Sequence, residues 1–242
     1  AAPVLIADGK NLSGSVSINS GGTLKLTQTG RLASTVTLNG GTLDIDESLT
    51  SSGAYTLSAD SAIDVANTKT LTYSGAALAL GANTLTLTGA GALANANALT
   101  LNNADSVLKV TGTNTISGAV ALNVGKLDID GSSTISGALT LGGNAAIDVA
   151  NTKTLTYSGA ALALGANTLT LTGAGALANA NALTLNNADS VLKVTGTNTI
   201  SGAVALNAGK LDIDGSSTIS GAMTLGGNAA IDVANAKTLS YT

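Results

Sequence analysis

The sequence predicts an all-β fold: a parallel β-helix (β-solenoid) with about 21 residues per rung, three short strands per rung and four rungs per 84-residue repeat. Three observations predict it. The segment Ala62 to Ala145 recurs ungapped as Ala146 to Ala229, and only Val124 (Ala208 in the second copy) and Leu139 (Met223) differ among 84 positions. Inside each copy a shorter unit of small, apolar, small, apolar residues returns four times at nearly even spacing. Between these units run brief stretches that alternate apolar with small polar side chains, separated by Gly, Asn, Asp and Ser. Self-similarity at a fixed period is the signature of a repeat architecture, and it overrides any domain count drawn from length.

The first strand of each rung is read from that short unit. It appears as Ala77-Leu78-Ala79-Leu80, Ala98-Leu99-Thr100-Leu101, Ala119-Val120-Ala121-Leu122 and Ala138-Leu139-Thr140-Leu141. Its second positions are thus Leu78, Leu99, Val120 and Leu139, and the next copy resumes at Leu162, which closes one full repeat. Val16, Val36 and Tyr55 are earlier members, and Leu183, Val204 and Met223 are later ones, so eleven units fill the chain. The second strand follows a turn, as in Val107-Leu108-Lys109-Val110, Leu127-Asp128-Ile129-Asp130 and Ala146-Ile147-Asp148-Val149. The third is Thr115-Ile116-Ser117, Thr134-Ile135-Ser136 and Thr154-Leu155-Thr156-Tyr157. Period-2 alternation over four to five residues is the half-buried strand pattern, and the intervening residues suit tight turns.

Stacking the rungs places Leu108, Leu127, Ile147 and Leu169 in one internal column and Val110, Ile129, Val149 and Leu171 in another. A lone rung buries nothing, so stability comes from neighbours. Residues 1–61 read as a divergent N-terminal repeat, 62–145 and 146–229 as the two copies, and 230–242 as the start of a further one, all in one continuous solenoid. A helix over the Ala-rich stretch from Gly89 to Ala104 is the competing local reading, but Leu93, Leu99 and Leu101 fit no 3.6-residue stripe.

Composition narrows function. The chain has 242 residues, 30 of them Gly, with no Cys, His, Trp or Phe and 2% aromatic residues, so a core built on large rings is excluded. Ten basic residues, Arg31 the only arginine, face 14 acidic ones, with no basic stripe or stacking platform; nucleic-acid binding is not expected. No apolar run approaches the roughly 18 residues that span a bilayer, so no membrane insertion is expected. Ala1-Ala2-Pro3 fits a mature start after processing of a leader.

Outward positions offer three candidate surfaces. On the second strand the column Lys25, Asp44, Asp64, Thr86, Lys109, Asp128, Asp148, Thr170, Lys193, Asp212, Asp232 brings carboxylates together. Asp128, Asp130 and Asp148 form a candidate cation site, with Ca²⁺ as the fitting ion, because hard cations take clustered carboxylates. The plainer reading is a solvated face partly neutralised by Lys109 and Lys126. The calcium nonapeptide of β-rolls is missing, since Gly142-Gly143-Asn144-Ala145-Ala146 lacks its Gly and Asp.

The same paired acids, at 44/64, 128/148 and 212/232, could flank a glycosidic bond. Yet no long loop builds a cleft and no His tunes an acid, so no enzyme is expected. A second surface is the hydroxyl strip of Thr115, Ser117, Thr134, Ser136, Thr154 and Thr156, which is similar to the ice-binding face of some antifreeze solenoids. It breaks at Ala176-Leu177-Ala178. The third is the flat face of Ala98, Thr100, Ala119, Ala121, Ala138, Thr140, Ala161 and Ala163, suited to lateral packing of rods or serving as ordinary exposed sheet. Asn67, Asn151 and Asn235 are expected to cap turns, and Tyr73, Tyr157 and Tyr241 to fill the core of the longest rung.

Stretches such as SGAVALNVGKLDIDGSSTISGALTLGG resemble the repetitive β-helical stalks of large bacterial secreted adhesins and autotransporter passengers, from about Leu12 onward. The resemblance implies export to the cell surface, an extended right-handed β-helix, and adhesion to other surfaces or glycans or a spacer role; it assigns no binding residue. Thr242 falls partway through a rung that earlier copies complete, and exposed edge strands invite pairing. The chain therefore reads as a piece of a longer protein, with end-to-end stacking into a filament as the alternative.

Overall fold

The computed structural model describes Val4–Ala7 in backbone and residues 14–242 in full, and among these residues every element is a strand. The chain is an all-β parallel solenoid whose rungs each contribute up to three short strands to three stacked faces. The first face carries Thr42–Ile45, Ser61–Val65, Thr84–Gly89, Val107–Val110, Lys126–Ile129 and Ala145–Val149 as successive neighbours. The second face is an 11-stranded sheet, which at about 4.8 Å between strands makes a rod on the order of 50 Å long. The third face is divided into shorter ladders, of which Leu78–Ala79, Leu99–Leu101, Val120–Leu122 and Leu139–Leu141 form one.

Alternation decides what is buried. Leu127 and Ile129 are fully buried while Lys126 and Asp128 between them face outward, and the same holds along nearly every strand. Fully burying each such side chain is worth roughly 1.5–3 kcal/mol, and each column touches only the rungs above and below. Where the helix was the competing reading, the structure has the strands Ala92–Asn95 and Leu99–Leu101.

The columns differ from the expected ones at one rung in four. Leu108, Leu127 and Ile147 stack as expected, but Ile147 pairs with Leu171 instead of Leu169, and Val149 with Gly173 instead of Leu171. The first copy does the same, with Ile63 against Leu87 and Val65 against Gly89. The column Ser61, Leu85, Leu108, Leu127, Ile147 climbs four rungs from Ser61, whereas the sequence repeat reaches Ile147 from Ile63, two residues later. The second face advances by the same amount through Leu71, Leu93, Ile116, Ile135 and Tyr157. Strands on these two faces thus slide by two residues per repeat. Gly173 permits the slide at the strand end: its φ is +78° and a Cβ there would lie 2.1 Å from the Val149 carbonyl oxygen. That carbonyl accepts the N–H groups of both Ala174 and Gly175.

On the third face the period of the sequence is kept, and the mismatch appears as a break in the ladder between Leu139–Leu141 and Leu162–Ala163. Two side chains cross it. The Tyr157 hydroxyl accepts the Leu139 N–H at 3.1 Å and donates to the Ala160 carbonyl at 2.6 Å. Asn167 Nδ2 donates to the carbonyls of Leu164 (2.9 Å) and Leu141 (3.5 Å). One rung lower no relay is needed, because Val120 N–H reaches Ala138 O directly at 2.8 Å. Tyr73 and Asn83 occupy the matching positions in the earlier copy, joining Tyr55 to Ala76 and Leu57 to Leu80. Tyr73 and Tyr157 are core residues as expected, and their hydroxyls also replace missing backbone bonds, whereas Tyr241 departs from the expectation and is 57% exposed in the last described rung, with no described rung packed over it.

The divergent first repeat keeps its core volume by exchange. Tyr55 and Ser51 stand where Leu139 and Ile135 stand one repeat later, so a large residue and a small one replace two of middle size. The Tyr55 ring packs on Tyr73 with centroids 4.4 Å apart. Corners are closed by stacked glycines: a Cβ on Gly137 would sit 1.9 Å from Gly118 O, and one on Gly159 would sit 2.3 Å from Gly137 O.

Candidate functional site

The first face carries the charged ribbon. Its strands set Lys109 beside Asp128, and Asp128 beside Asp148, on adjacent rungs, so the three sequence candidates Asp128, Asp130 and Asp148 do share one outer surface. Lysines stand among them. Lys109 Nζ contacts Asp128 Oδ2 at 3.0 Å and is also paired with Asp130. Lys126 Nζ lies 3.4 Å from Asp128 Oδ1 and 3.8 Å from Asp148 Oδ2. Each of the three carboxylates therefore already holds an ammonium partner. Among the described residues no group of three or more acidic, His or Cys side chains converges as a metal-holding set.

The next repeat copies the arrangement. Lys193 pairs with Asp212 at 3.2 Å and with Asp214, and Lys210 with Asp212 at 3.1 Å and Asp232 at 3.4 Å. In the first repeat Lys25 pairs with Asp44 (2.8 Å) and Asp46 (2.6 Å), and Thr42 replaces the second lysine. The hydrogen bonds that Lys109 donates to Asp130 and Asp128 raise its pKa, and those that Lys193 donates to Asp214 and Asp212 raise that of Lys193. Burial acts to raise the Asp212 carboxyl, but hydrogen bonds from Lys210 and Lys193 outweigh it and hold it below its ordinary range. Solvent screening keeps such surface pairs weak.

The slide changes the expected outer columns. Asp148 neighbours Thr172 and not Thr170, and Asp64 neighbours Thr88 and not Thr86. On the second face Thr134 lies against Thr156, so Thr115, Thr134 and Thr156 form one outward column flanked by Ala92 and Ala178. Thr154 instead lies beside Ala176. The third face shows a strict outward alternation of Ala79, Thr100, Ala121 and Thr140, then Ala163, Thr184, Ala205 and Thr224.

The asparagine turns work differently from the expected caps. The Lys153 N–H closes the turn on the Ala150 carbonyl at 3.0 Å, with Thr152 at φ +64° after Asn151. Depressions along the rod, such as that near Gly40, Asp60 and Thr84, are open to solvent. What alternation alone did not reveal are the side-chain bridges of Tyr157 and Asn167; the longest rung, which carries Tyr157 and is followed directly by the rung of Asn167, is the signal. The fold and these surfaces define a β-solenoid built from a copied four-rung unit. The chain matches no protein-family model, no curated protein and no solved structure.

Proposed function

We propose that the protein is a non-enzymatic structural repeat of a bacterial cell-surface or extracellular adhesin or fibre, acting as a rigid stalk or self-associating filament. The observation that carries the reading is the copying of the outer surface of residues 62–145 by residues 146–229 along one rod. A rod that repeats its exterior suits spacing and multivalent contact better than single-site chemistry. The adhesin-like style of the sequence supports secretion and a surface location. Imaging the purified protein by electron microscopy tests it: straight rods about 50 Å long, as expected from the rung spacing, support the role, and compact particles contradict it.

A second reading is a surface-binding solenoid for ice or glycan. It is favoured by the aligned column Thr115, Thr134 and Thr156, whose hydroxyl-bearing side chains point outward on three successive rungs. Ice-recrystallisation and glycan-array measurements on the intact chain decide it, with inactivity in both dismissing it.

A further inference from the structure

At one place in every four-rung unit the third face is held by side chains where its neighbours are held by a ladder. The ladder stops at Leu139–Leu141 and resumes at Leu162–Ala163; one repeat earlier it stops at Tyr55–Ala59 and resumes at Leu78–Ala79. Just below the later gap the strands are in full register, with Val120, Ala121 and Leu122 set on Leu139, Thr140 and Leu141. Across the gap the Tyr157 hydroxyl and the Asn167 amide carry the connection. The Asn167 reach to the Leu141 carbonyl, 3.5 Å, is at the outer limit of a hydrogen bond. Burial registers the same opening: Val120 and Leu122 are at 0%, whereas Leu139 is at 4% and Leu141 is only half-buried.

The other two faces run straight through the gap. Leu127 is set on Ile147 and Ile129 on Val149 on the first face, and Thr134 on Thr156 and Ile135 on Tyr157 on the second. These two faces meet at the corner of Ala150 and Lys153, opposite the third face, where the Lys153 N–H closes on the Ala150 carbonyl at 3.0 Å. A tube with two continuous walls and one interrupted wall bends most easily where the interruption lies: the broken wall parts and the opposite corner acts as pivot. We propose that each gap is a hinge latched by its tyrosine, at which the rod bends with the third face on the outside of the curve. Tyr73 latches the earlier gap, accepting the Tyr55 N–H at 3.1 Å, and Tyr157 the later one. The strands from Ser61–Val65 to Leu139–Leu141, which lie between the two gaps, then move as one stiff segment, so the copied sequence block is also the mechanical unit.

The hinge goes beyond the stalk reading, since it rests on the fold alone and holds equally for a rod that binds surfaces. The experiment uses the intact chain, whose lack of cysteine allows spin labels on introduced pairs. Thr100→Cys/Thr184→Cys spans the later gap on the third face, and Thr115→Cys/Thr199→Cys spans it on the second. Each pair sits one repeat apart, four rungs or about 19 Å, on outward positions. Pulsed electron-spin measurements are expected to give a distance distribution at least about two-fold broader on the third face than on the second. Tyr157→Phe is expected to widen the third-face distribution further and to leave the second-face one unchanged. Equal widths on the two faces of the parent overturn the hinge and leave the rod reading intact. A third-face width indifferent to Tyr157→Phe, in a variant with the circular dichroism of the parent, also overturns it. Where Tyr157→Phe does not fold, the comparison of the two faces in the parent decides by itself.

Discussion

The Leu139 amide donates to the hydroxyl of Tyr157, 18 residues further along the chain, at 3.1 Å. This bond stands in for the backbone ladder at the one rung per repeat where two faces slide and the third does not. Tyr157→Phe leaves the Leu139 N–H and the Ala160 carbonyl without their shared partner, a loss of about 1–3 kcal/mol. Tyr55→Phe is the contrast: its buried hydroxyl lies near Ser51 but makes no well-formed hydrogen bond among the described residues, so removing it is expected to cost less than Tyr157→Phe. Midpoints of chemical denaturation check both, and equal effects would contradict the relay.

Glycine stacking at the corners gives a second prediction. Gly137→Ala forces a Cβ to 1.9 Å from Gly118 O, whereas Gly227→Ala meets nothing within 4 Å and has an ordinary φ. The first is expected to cost several kcal/mol through backbone displacement and the second to be near neutral or mildly stabilising. Thermal melting of the two variants side by side tells them apart.

Thr152 holds a left-handed backbone at φ +64°, which a β-branched residue adopts only at a cost of roughly 1–2 kcal/mol. Thr152→Asn keeps the turn and relieves part of that cost. A rise in the denaturation midpoint is expected, and a fall would show that the Thr152 side chain contributes an interaction of its own.

The pH profile follows from the charged ribbon. The lowered pKa of Asp212 stabilises the fold above the ordinary value of 3.8, and this is lost as pH falls through the lower, folded value. Raised pKa values of Lys109, Lys193 and Lys210 stabilise it below 10.5, and that is lost as pH rises through their higher, folded values. With no histidine in the chain, the melting temperature should be flat between about pH 5 and 9. A step near pH 6 to 7 contradicts this. Lys210→Met should weaken the acid limb.

Calcium probes the carboxylate cluster. Lys109 and Lys126 already pair with Asp128, Asp130 and Asp148, so millimolar Ca²⁺ is expected to leave melting unchanged in the parent chain. Lys109→Ala/Lys126→Ala uncovers three carboxylates and is expected to gain a calcium-dependent rise. A rise in the parent would establish the cation site directly.

Alternation made the three faces legible, because inward Leu127 and Ile129 and outward Asp128 follow from a period of two. It also placed the acidic candidates on one surface. It could not reveal the slide that sets Ile147 on Leu171: a slip by one residue would turn every side chain to the wrong face, but a slip by two preserves inside and outside. The Tyr157 relay and the Asn167 bridge were hidden for the same reason, since they exist only because of that slide. Lysine partners of Asp128 were legible from cross-strand neighbours, whereas the reach of Lys109 to Asp130 needed side-chain geometry.

Paired cysteines test the stacking most directly, because the chain has none of its own. Thr134 and Thr156 are Cα partners on adjacent rungs and both point outward, whereas Thr154 lies two residues away from that pairing. Mild oxidation is predicted to join Cys residues placed at 134 and 156 in high yield and to leave those placed at 134 and 154 largely free, in keeping with the short Cα separation a disulfide requires. Preferential joining of 134 with 154, or of neither pair, would contradict the stacked and sliding solenoid.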